Sequence, residues 1–165
     1  MRKWMMAMLF ATITGQVSAQ ELKMRDVFKQ MPDSIMPYLS QNNRLDFIDF
    51  LDSGMAAVVR NELGGSSEMT TLADDSLSIE MSEALKTDLL LLPLAEPQDS
   101  MTQVVVMVET FLVDSIYGES HISYFTPAWQ RMPSEPALGE AEKQRIKGHI
   151  VQNILKKDEE VLNKR

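Results

Sequence analysis

The stretch TQVVVMVETFL, residues 102–112, decides the fold because five of its residues in a row, 104–108, are apolar. Neighbouring side chains of an extended strand point to opposite faces, so this stretch is apolar on both faces. A second stretch, DLLLLPLA at residues 88–95, has the same property. Strands of this kind lie at the centre of a sheet that is covered on both sides. The two stretches therefore predict the centre of such a sheet.

Shorter stretches around this centre predict its neighbouring strands. LSIEMS at residues 77–82 alternates apolar with polar residues, which is typical of a strand with one face in water. MTTLA at residues 69–73 and SHISYFTPAW at residues 120–129 have the composition of further strands. The connecting segments are too short for crossover helices, so neighbouring strands are predicted to be antiparallel. We expect an antiparallel sheet of about five strands.

Helical spacing of apolar residues occurs toward both ends of the chain. ELKMRDVFKQM at residues 21–31 predicts a short first helix, which Pro32 ends. NRLDFIDFLDSGM at residues 43–55 predicts a second helix that begins at its first residue and stops at its glycine. From Glu140 onward, isoleucines spaced four residues apart predict a C-terminal helix that packs on the sheet. The predicted fold class is α+β, with two N-terminal helices, the sheet and a C-terminal helix.

Three aspartates recur at every third position of the second predicted helix, as Asp46, Asp49 and Asp52. A helical wheel places them opposite the apolar residues of the same helix. This spacing favours a structural role for Asp46 and Asp49, as acceptors of hydrogen bonds from the preceding loop, and a core position for Phe50. The alternative is a site for a divalent cation or for carboxylate catalysis, but the stretch lacks the alternating acids of an EF-hand loop.

Residues 1–19 have the three parts of a secretory signal peptide. Arg2 and Lys3 come first, an apolar segment of about ten residues follows, and VSA, ending at Ala19, predicts the cleavage point. The apolar segment is shorter than the roughly 20 residues that span a membrane, and no later segment comes closer to that length. Residues 20–165 are then predicted to form a single exported α+β domain.

The chain is acidic, with 16 basic and 24 acidic residues and a net charge of −8, and it contains no cysteine. Cleavage after Ala19 removes Arg2 and Lys3 but no acid, which makes the net charge −10. Such a charge repels nucleic-acid phosphates and also other copies of the chain. We therefore predict no nucleic-acid partner and a monomer. Without cysteine, the domain has neither a disulfide nor the acylated cysteine of a bacterial lipoprotein.

Residue types that commonly form catalytic or cofactor sites are scarce. His121 is expected to be a cross-strand partner, His149 is expected on a helix surface, and without cysteine they are poor candidates for a zinc site. The nucleophile motif G-x-S-x-G and the two common glycine-rich phosphate-binding motifs are absent from the sequence. We predict no cofactor, no metal and no catalytic residue, while a pair of carboxylates brought together by the fold stays open as an alternative.

Aromatic residues cluster near the end of the predicted sheet, at Tyr117, Tyr124, Phe125 and Trp129. Exposed aromatic side chains beside a sheet edge are typical of binding surfaces, so these four residues are the candidate binding residues. The alternative is that they complete the core or cap the sheet.

Three stretches together resemble a known family: MPDSIMPYLSQNNRLDFIDFLDSGM at residues 31–55, LGGSSEMTTL at residues 63–72 and DSIYGESHISYFTPAWQ at residues 114–130. They are similar to small secreted proteins of unknown function from Bacteroides-type bacteria. The resemblance extends from about residue 31 to residue 129. It implies export to the envelope of a Gram-negative cell, in the periplasm or at the outer surface, and it implies no assigned activity or catalytic residue.

The function expected from these observations is that of a non-enzymatic exported domain that binds or interacts with a partner. The signal segment, the missing catalytic motifs and the aromatic cluster all favour this interpretation. The partner is an unidentified protein or polymer of the cell envelope. The alternative function is a carboxylate-dependent hydrolase, which requires two acids in one concave pocket.

Overall fold

The computed structural model describes residues 22–98, 100–113 and 116–163, without the side chains of 116–117 and 155–163. The predicted signal peptide lies outside the described residues. Three helices and six strands follow one another in these ranges: α1 (Met24–Lys29), α2 (Gln41–Asp52), β1 (Val58–Arg60), β2 (Ser66–Leu72), β3 (Ser76–Ser82), β4 (Leu85–Gln98), β5 (Met101–Val113), β6 (Ile116–Phe125) and α3 (Glu140–Asn163). None of the described helices is long and apolar enough to cross a membrane.

The six strands form one sheet in the order β1-β2-β3-β4-β5-β6, with every neighbouring pair antiparallel. The predicted α+β class is confirmed, and the sheet has one strand more than the expected five. The additional strand is β1, whose three residues are too few to show a periodic pattern. The predicted centre is also confirmed, because β4 and β5 pair with each other and residues 89–92 and 104–108 are buried.

The sheet has two covered faces, which we call the first and the second face. On the first face, α1 and α2 pack on alternate residues of the strands, including Ile79, Leu89, Leu91, Val105 and Met107. On the second face, Ile146 and Ile150 of α3 and Leu138 before it pack in one cluster with Leu90, Leu92, Val104, Val106 and Val108. The protein is therefore a three-layer sandwich of helices, sheet and helix.

A buried arginine holds the loop between α1 and α2. Arg44 is only 1% exposed, and its guanidinium donates to the carbonyl oxygens of Leu39, at 2.6 Å, and of Met31. The same group forms a salt bridge of 2.9 Å with Asp33, whose carboxylate is largely exposed. One side chain thus satisfies two carbonyl groups of a segment that has no regular secondary structure of its own.

The start of α2 differs from the prediction. Its N-cap is Ser40, whose hydroxyl accepts a hydrogen bond from the backbone N–H of Asn43, while the Asn43 side chain accepts one from the N–H of Ser40. The loop is held by this capping box and by Arg44, and not by Asp46 or Asp49. Asp46 and Asp49 are exposed, and no described residue donates to their carboxylates, so the expected hydrogen bonds from the preceding loop are not formed.

The other residues of this helix divide between core and surface. Phe50 is partly buried and packs against the core of the first face. Asp52 is the aspartate that has a partner, because both of its oxygens accept hydrogen bonds from Arg25 of α1, at 2.6 and 2.7 Å. The acidic face of α2 is therefore a solvent-facing surface with one ion pair to α1.

Trp129 connects the end of the sheet to the first helix. Its indole Nε1 donates to the carbonyl oxygen of Val27 at 2.8 Å, and its ring lies 5.7 Å from that of Phe125 between centroids. Its backbone has a φ of +63°, a left-handed conformation that bulky residues rarely adopt, in the turn formed by the hydrogen bond from the Thr126 N–H to the Gln130 carbonyl. This contact bridges residues that are about a hundred positions apart in the sequence.

Replacing Arg44 with alanine tests the role of the buried guanidinium. The carbonyl groups of Met31 and Leu39 lose their donor in Arg44→Ala, so we expect the free energy of unfolding to fall by about 3–5 kcal/mol. Urea unfolding followed by tryptophan fluorescence measures this loss. The control is Arg60→Ala at an exposed position of β1, where we expect a change within about 0.5 kcal/mol. Equal losses in the two variants would contradict the role given to Arg44.

Candidate functional site

A cluster of polar side chains lies on the second face, between β3, β4 and α3. Its centre is Asp88, which is 2% exposed and sits directly before the four leucines of β4. Antiparallel pairing places Ser78 of β3 opposite Asp88, and the Ser78 hydroxyl donates to the carboxylate at 2.5 Å. From α3, Asn153 donates to the second carboxylate oxygen at 2.6 Å, and His149 Nδ1 lies 3.4 Å from the first.

The surroundings of Asp88 keep its carboxylate ionised. Burial by itself raises the pKa of a carboxylic acid, because the charged form loses its hydration. The hydrogen bonds from His149, Ser78 and Asn153, together with the charge of His149, outweigh burial and hold the pKa of Asp88 below its usual value. Asp88 is thus a fixed negative charge inside the protein, with donors on both of its oxygens.

The polar cluster continues on both sides of Asp88. Toward β6, the Asn153 amide also lies 3.3 Å from the hydroxyl of Thr110, which is fully buried and lies 3.2 Å from the hydroxyl of Ser120. Toward β3, Lys86 Nζ is 3.1 Å from Glu80 Oε1. Between these groups and α3 lies a cavity of about 130 Å³ whose lining is mostly polar.

Helix α3 is attached to the sheet through a row of polar residues at four-residue spacing. Arg145 Nη1 lies 2.7 Å from Asp75 Oδ2, and His149 and Asn153 contact Asp88 one and two turns later. The hydrogen bond from Arg145 lowers the pKa of Asp75. This row runs beside the apolar row of Ile146 and Ile150, so the sheet-facing side of α3 is half apolar and half polar.

The chemistry available to the cluster is limited by its pairing. Both oxygens of Asp88 are occupied by donors, and Glu80 is paired with Lys86. A general base or nucleophile needs an oxygen that can reach a substrate. Within the described part of the chain, no group of three or more His, Asp or Glu side chains is arranged to hold a metal ion. The geometry therefore suits a structural joint better than a reaction centre.

A larger groove of about 470 Å³ lies beside β6. Its lining combines apolar, hydroxyl and charged side chains: Ile122, Ser123, Tyr124, Arg131, Met132, Pro133, Ser134 and Glu135. One wall is β6 and the other is the segment that returns along it, where the Met132 N–H donates to the Tyr124 carbonyl at 2.8 Å. Arg131 donates to the hydroxyl of Ser123 at 3.2 Å and so fixes the two walls together.

Tyr124 is the predicted binding residue that lies in this groove. Its side chain is partly buried against the cluster of the second face. Burial, and to a lesser extent the nearby charge of Glu135, raises the pKa of its phenol, so the ring presents a neutral hydroxyl at neutral pH. A partly buried tyrosine with a hydroxyl in a groove has the form of a binding residue.

The other predicted binding residues have different positions. Phe125 and Trp129 are 2% and 5% exposed and belong to the core of the first face, so the expectation that they form an exposed surface is wrong. Tyr124 and Phe125 are adjacent on β6 and therefore point to opposite faces, which separates the groove from the core. The side chain of Tyr117 lies outside the described residues.

The sequence analysis did not predict the buried contacts of several polar residues. His149 was expected on the surface but contacts Asp88, whereas His121 is a cross-strand partner as predicted, with Nδ1 3.6 Å from Glu109 Oε2. The sequence does contain a pattern that indicates these contacts. Asp88 stands in a strand that is apolar on both faces, and His149 and Asn153 each lie three residues after a core-facing isoleucine of α3. A polar residue in such a position needs a buried partner.

Comparisons with known proteins agree with the fold and assign no activity. A family model described as "Protein of unknown function (DUF3256)" matches residues 14–164. A solved structure of a domain of an uncharacterized protein from Porphyromonas gingivalis W83 is similar, with a TM-score of 0.54 and 22% sequence identity. The similarity covers 67% of this chain and 53% of that one, so this chain spans about half the length of that structure. No curated protein matches the sequence.

Replacing Asp88 with asparagine tests the buried charge through its pH dependence. Because the folded pKa of Asp88 is lowered, its contribution to stability is complete above the unfolded value of about 3.9 and is lost as the pH falls through the folded value. We expect Asp88→Asn to be less stable than the parent by about 2 kcal/mol or more at neutral pH. This difference should shrink as the pH falls below about 4.

Urea unfolding at a series of pH values between about 7 and 3 measures this effect. Asp49→Asn is the matched control, since Asp49 is exposed and no described residue donates to its carboxylate. We expect the control to follow the parent within about 0.5 kcal/mol. A difference between Asp88→Asn and the parent that is independent of pH would show that Asp88 is not ionised in the folded protein.

Proposed function

We propose that this chain, which belongs to the DUF3256 family, is an exported non-enzymatic domain that binds a partner through the groove beside β6. The observation that carries the proposal is the groove itself, a concave surface of about 470 Å³ with Tyr124 in its lining. Its apolar groups supply contact area, while its hydroxyl and charged groups supply orientation.

The chemistry of the groove supports binding of a polar macromolecule. Tyr124 and Met132 are adaptable apolar residues of the kinds enriched at interfaces, and Arg131 and Glu135 place one positive and one negative charge in the same groove. Such a mixture of groups is typical of surfaces that bind a protein segment or a hydroxyl-rich polymer.

The expected location supports the same function. The signal segment of residues 1–19 predicts export, and we place the mature domain in the periplasm or the outer envelope of a Gram-negative cell. The proposed partner is then a protein or polymer of the envelope. A net charge of −10 after cleavage favours a monomer that meets a different molecule over association with its own copies.

The alternative of a carboxylate-dependent hydrolase receives less support from the geometry. Asp88 and Glu80 line the same cavity, which is the arrangement that such an enzyme requires. Asp88, however, is occupied by donors from β3 and α3, and Glu80 is paired with Lys86. The partners of Asp88 join β4 to β3 and to α3, and the pair of Glu80 with Lys86 joins β3 to β4.

Filling the groove with a bulky side chain tests the proposal. Ser134 is exposed in the groove lining, so Ser134→Trp should block the groove without touching the core. We expect the immobilised parent domain to recover a partner from envelope extract, and the immobilised variant to recover at least about tenfold less of it. Quantitative mass spectrometry for proteins and sugar analysis for polymers measure the recovery.

The matched control is Ser34→Trp, which places the same side chain at an exposed position in the loop between α1 and α2. We expect this control to recover its partner as the parent does. Equal recovery by both variants would show that the groove is not the binding surface. Thermal unfolding of each variant confirms that the folded state is retained.

A further inference from the structure

Among the described residues, the outer edge of β6 is free of pairing along part of its length. In the sheet β6 pairs with β5 on one side, and the pairing that the described part of the chain shows on its other side is the bridge between Phe125 and Arg131, near the end of the strand. At that bridge the Met132 N–H donates to the Tyr124 carbonyl, so the backbone groups of Tyr124 point outward, away from β5. This contact establishes which residues of the strand face the free edge.

Alternate residues of an antiparallel strand direct their N–H and C=O groups to the same side. Since Tyr124 faces outward, Ile122 and Ser120 also face outward, in the part of β6 where the register with β5 is regular. Among the described residues, nothing forms a hydrogen bond with the backbone groups of Ile122 and Ser120 on this side. Two donors and two acceptors are thus available next to the groove.

We propose that the domain binds an extended segment of a partner polypeptide as an added strand on the outer edge of β6, with alternate side chains in the groove. This inference deepens the proposed function, on which it rests, by naming the class of partner. An added strand satisfies the free backbone groups, and its side chains alternate between the two faces of the sheet. Those on the second face meet Ile122, Tyr124 and Met132 in the groove.

Charge identifies the chemistry of the partner. On the first face at this edge, the exposed Glu119 has no salt-bridge partner among the described residues, and the partly buried Glu109 has the exposed His121 as its salt-bridge partner. At the groove, Glu135 Oε1 lies 3.8 Å from Lys143 Nζ and Arg131 donates to the Ser123 hydroxyl, so the groove itself carries no excess of negative charge. The matching segment therefore alternates apolar residues, which enter the groove, with basic residues, which face the glutamates.

A second copy of the chain fits this edge less well. Pairing two β6 strands around a two-fold axis sets Glu119 of each copy near the interface. The net charge of −10 after cleavage adds repulsion at long range. The charge pattern thus favours a basic segment from a different protein.

The test uses the full chain and a capped peptide of about ten residues that alternates valine with lysine. Isothermal titration measures the dissociation constant at low salt. Ser120→Pro removes an outward N–H while leaving the ladder to β5 intact, and we expect it to weaken binding at least about tenfold. Ser120→Ala retains that N–H and should weaken binding less than about threefold.

Methylating the peptide backbone gives a second readout that does not depend on the stability of a protein variant. In an added strand, the N–H groups of all valines face one side and those of all lysines face the other. Two peptides are compared, one N-methylated at every valine and the other at every lysine. One of them should lose at least about tenfold in affinity. The other should lose less than about threefold.

Several results would overturn the inference. These are the absence of binding at millimolar peptide, equal effects of the two methylation patterns, and equal binding by Ser120→Pro and Ser120→Ala. Light scattering that shows a dimer in the parent and a monomer in Ser120→Pro would assign the edge to a second copy instead. If Ser134→Trp loses the envelope partner and Ser120→Pro keeps it, the groove remains the binding surface and strand addition is wrong. If both variants keep it, the proposed function itself fails.

Discussion

The apolar pairing of β4 with β5 is the constraint on which the rest of the structure depends. Residues 89–92 and 104–108 are buried on both faces, and burial of such side chains is worth roughly 25 cal/mol per Å² of apolar surface. A sheet with this centre is unstable in water unless both faces are covered. The helices at the two ends of the chain supply these covers, which explains why the N-terminal helices and α3 lie on opposite faces.

The two covers are attached by different chemistry. On the first face, apolar packing is supplemented by Arg44, which holds the loop carbonyls, and by Trp129, which bonds to α1. On the second face, α3 combines its isoleucines with a polar row that ends on the buried carboxylate of Asp88. Attachment of α3 therefore depends on the ionisation of a side chain, and the groove forms at the edge of this same face, where the segment before α3 runs along β6.

Periodicity predicted the elements because it reflects local geometry. The stretches around Leu89 and Val106 indicated central strands, and the isoleucines from Ile146 onward indicated a helix on the sheet. The prediction missed β1, which is too short to be periodic, and began α2 at Asn43 because an asparagine there is as good a cap as Ser40. The first error reflects the length of the strand, and the second reflects two neighbouring residues that are equally good caps.

The sequence by itself determined the fold class and the central strands, and its resemblance to proteins of unknown function agrees with the match to a family of unknown function. Only the tertiary structure decided which polar and aromatic residues meet. Asp88 and Asn153 lie 65 positions apart, and their contact depends on how α3 crosses the sheet. Tyr124 lines a groove while Phe125 enters the core, because adjacent residues of a strand face opposite sides of the sheet. The sequence does not show which helices cover each side. The sequence shows where the aromatic residues are, but their exposure depends on how the helices cover the two faces of the sheet.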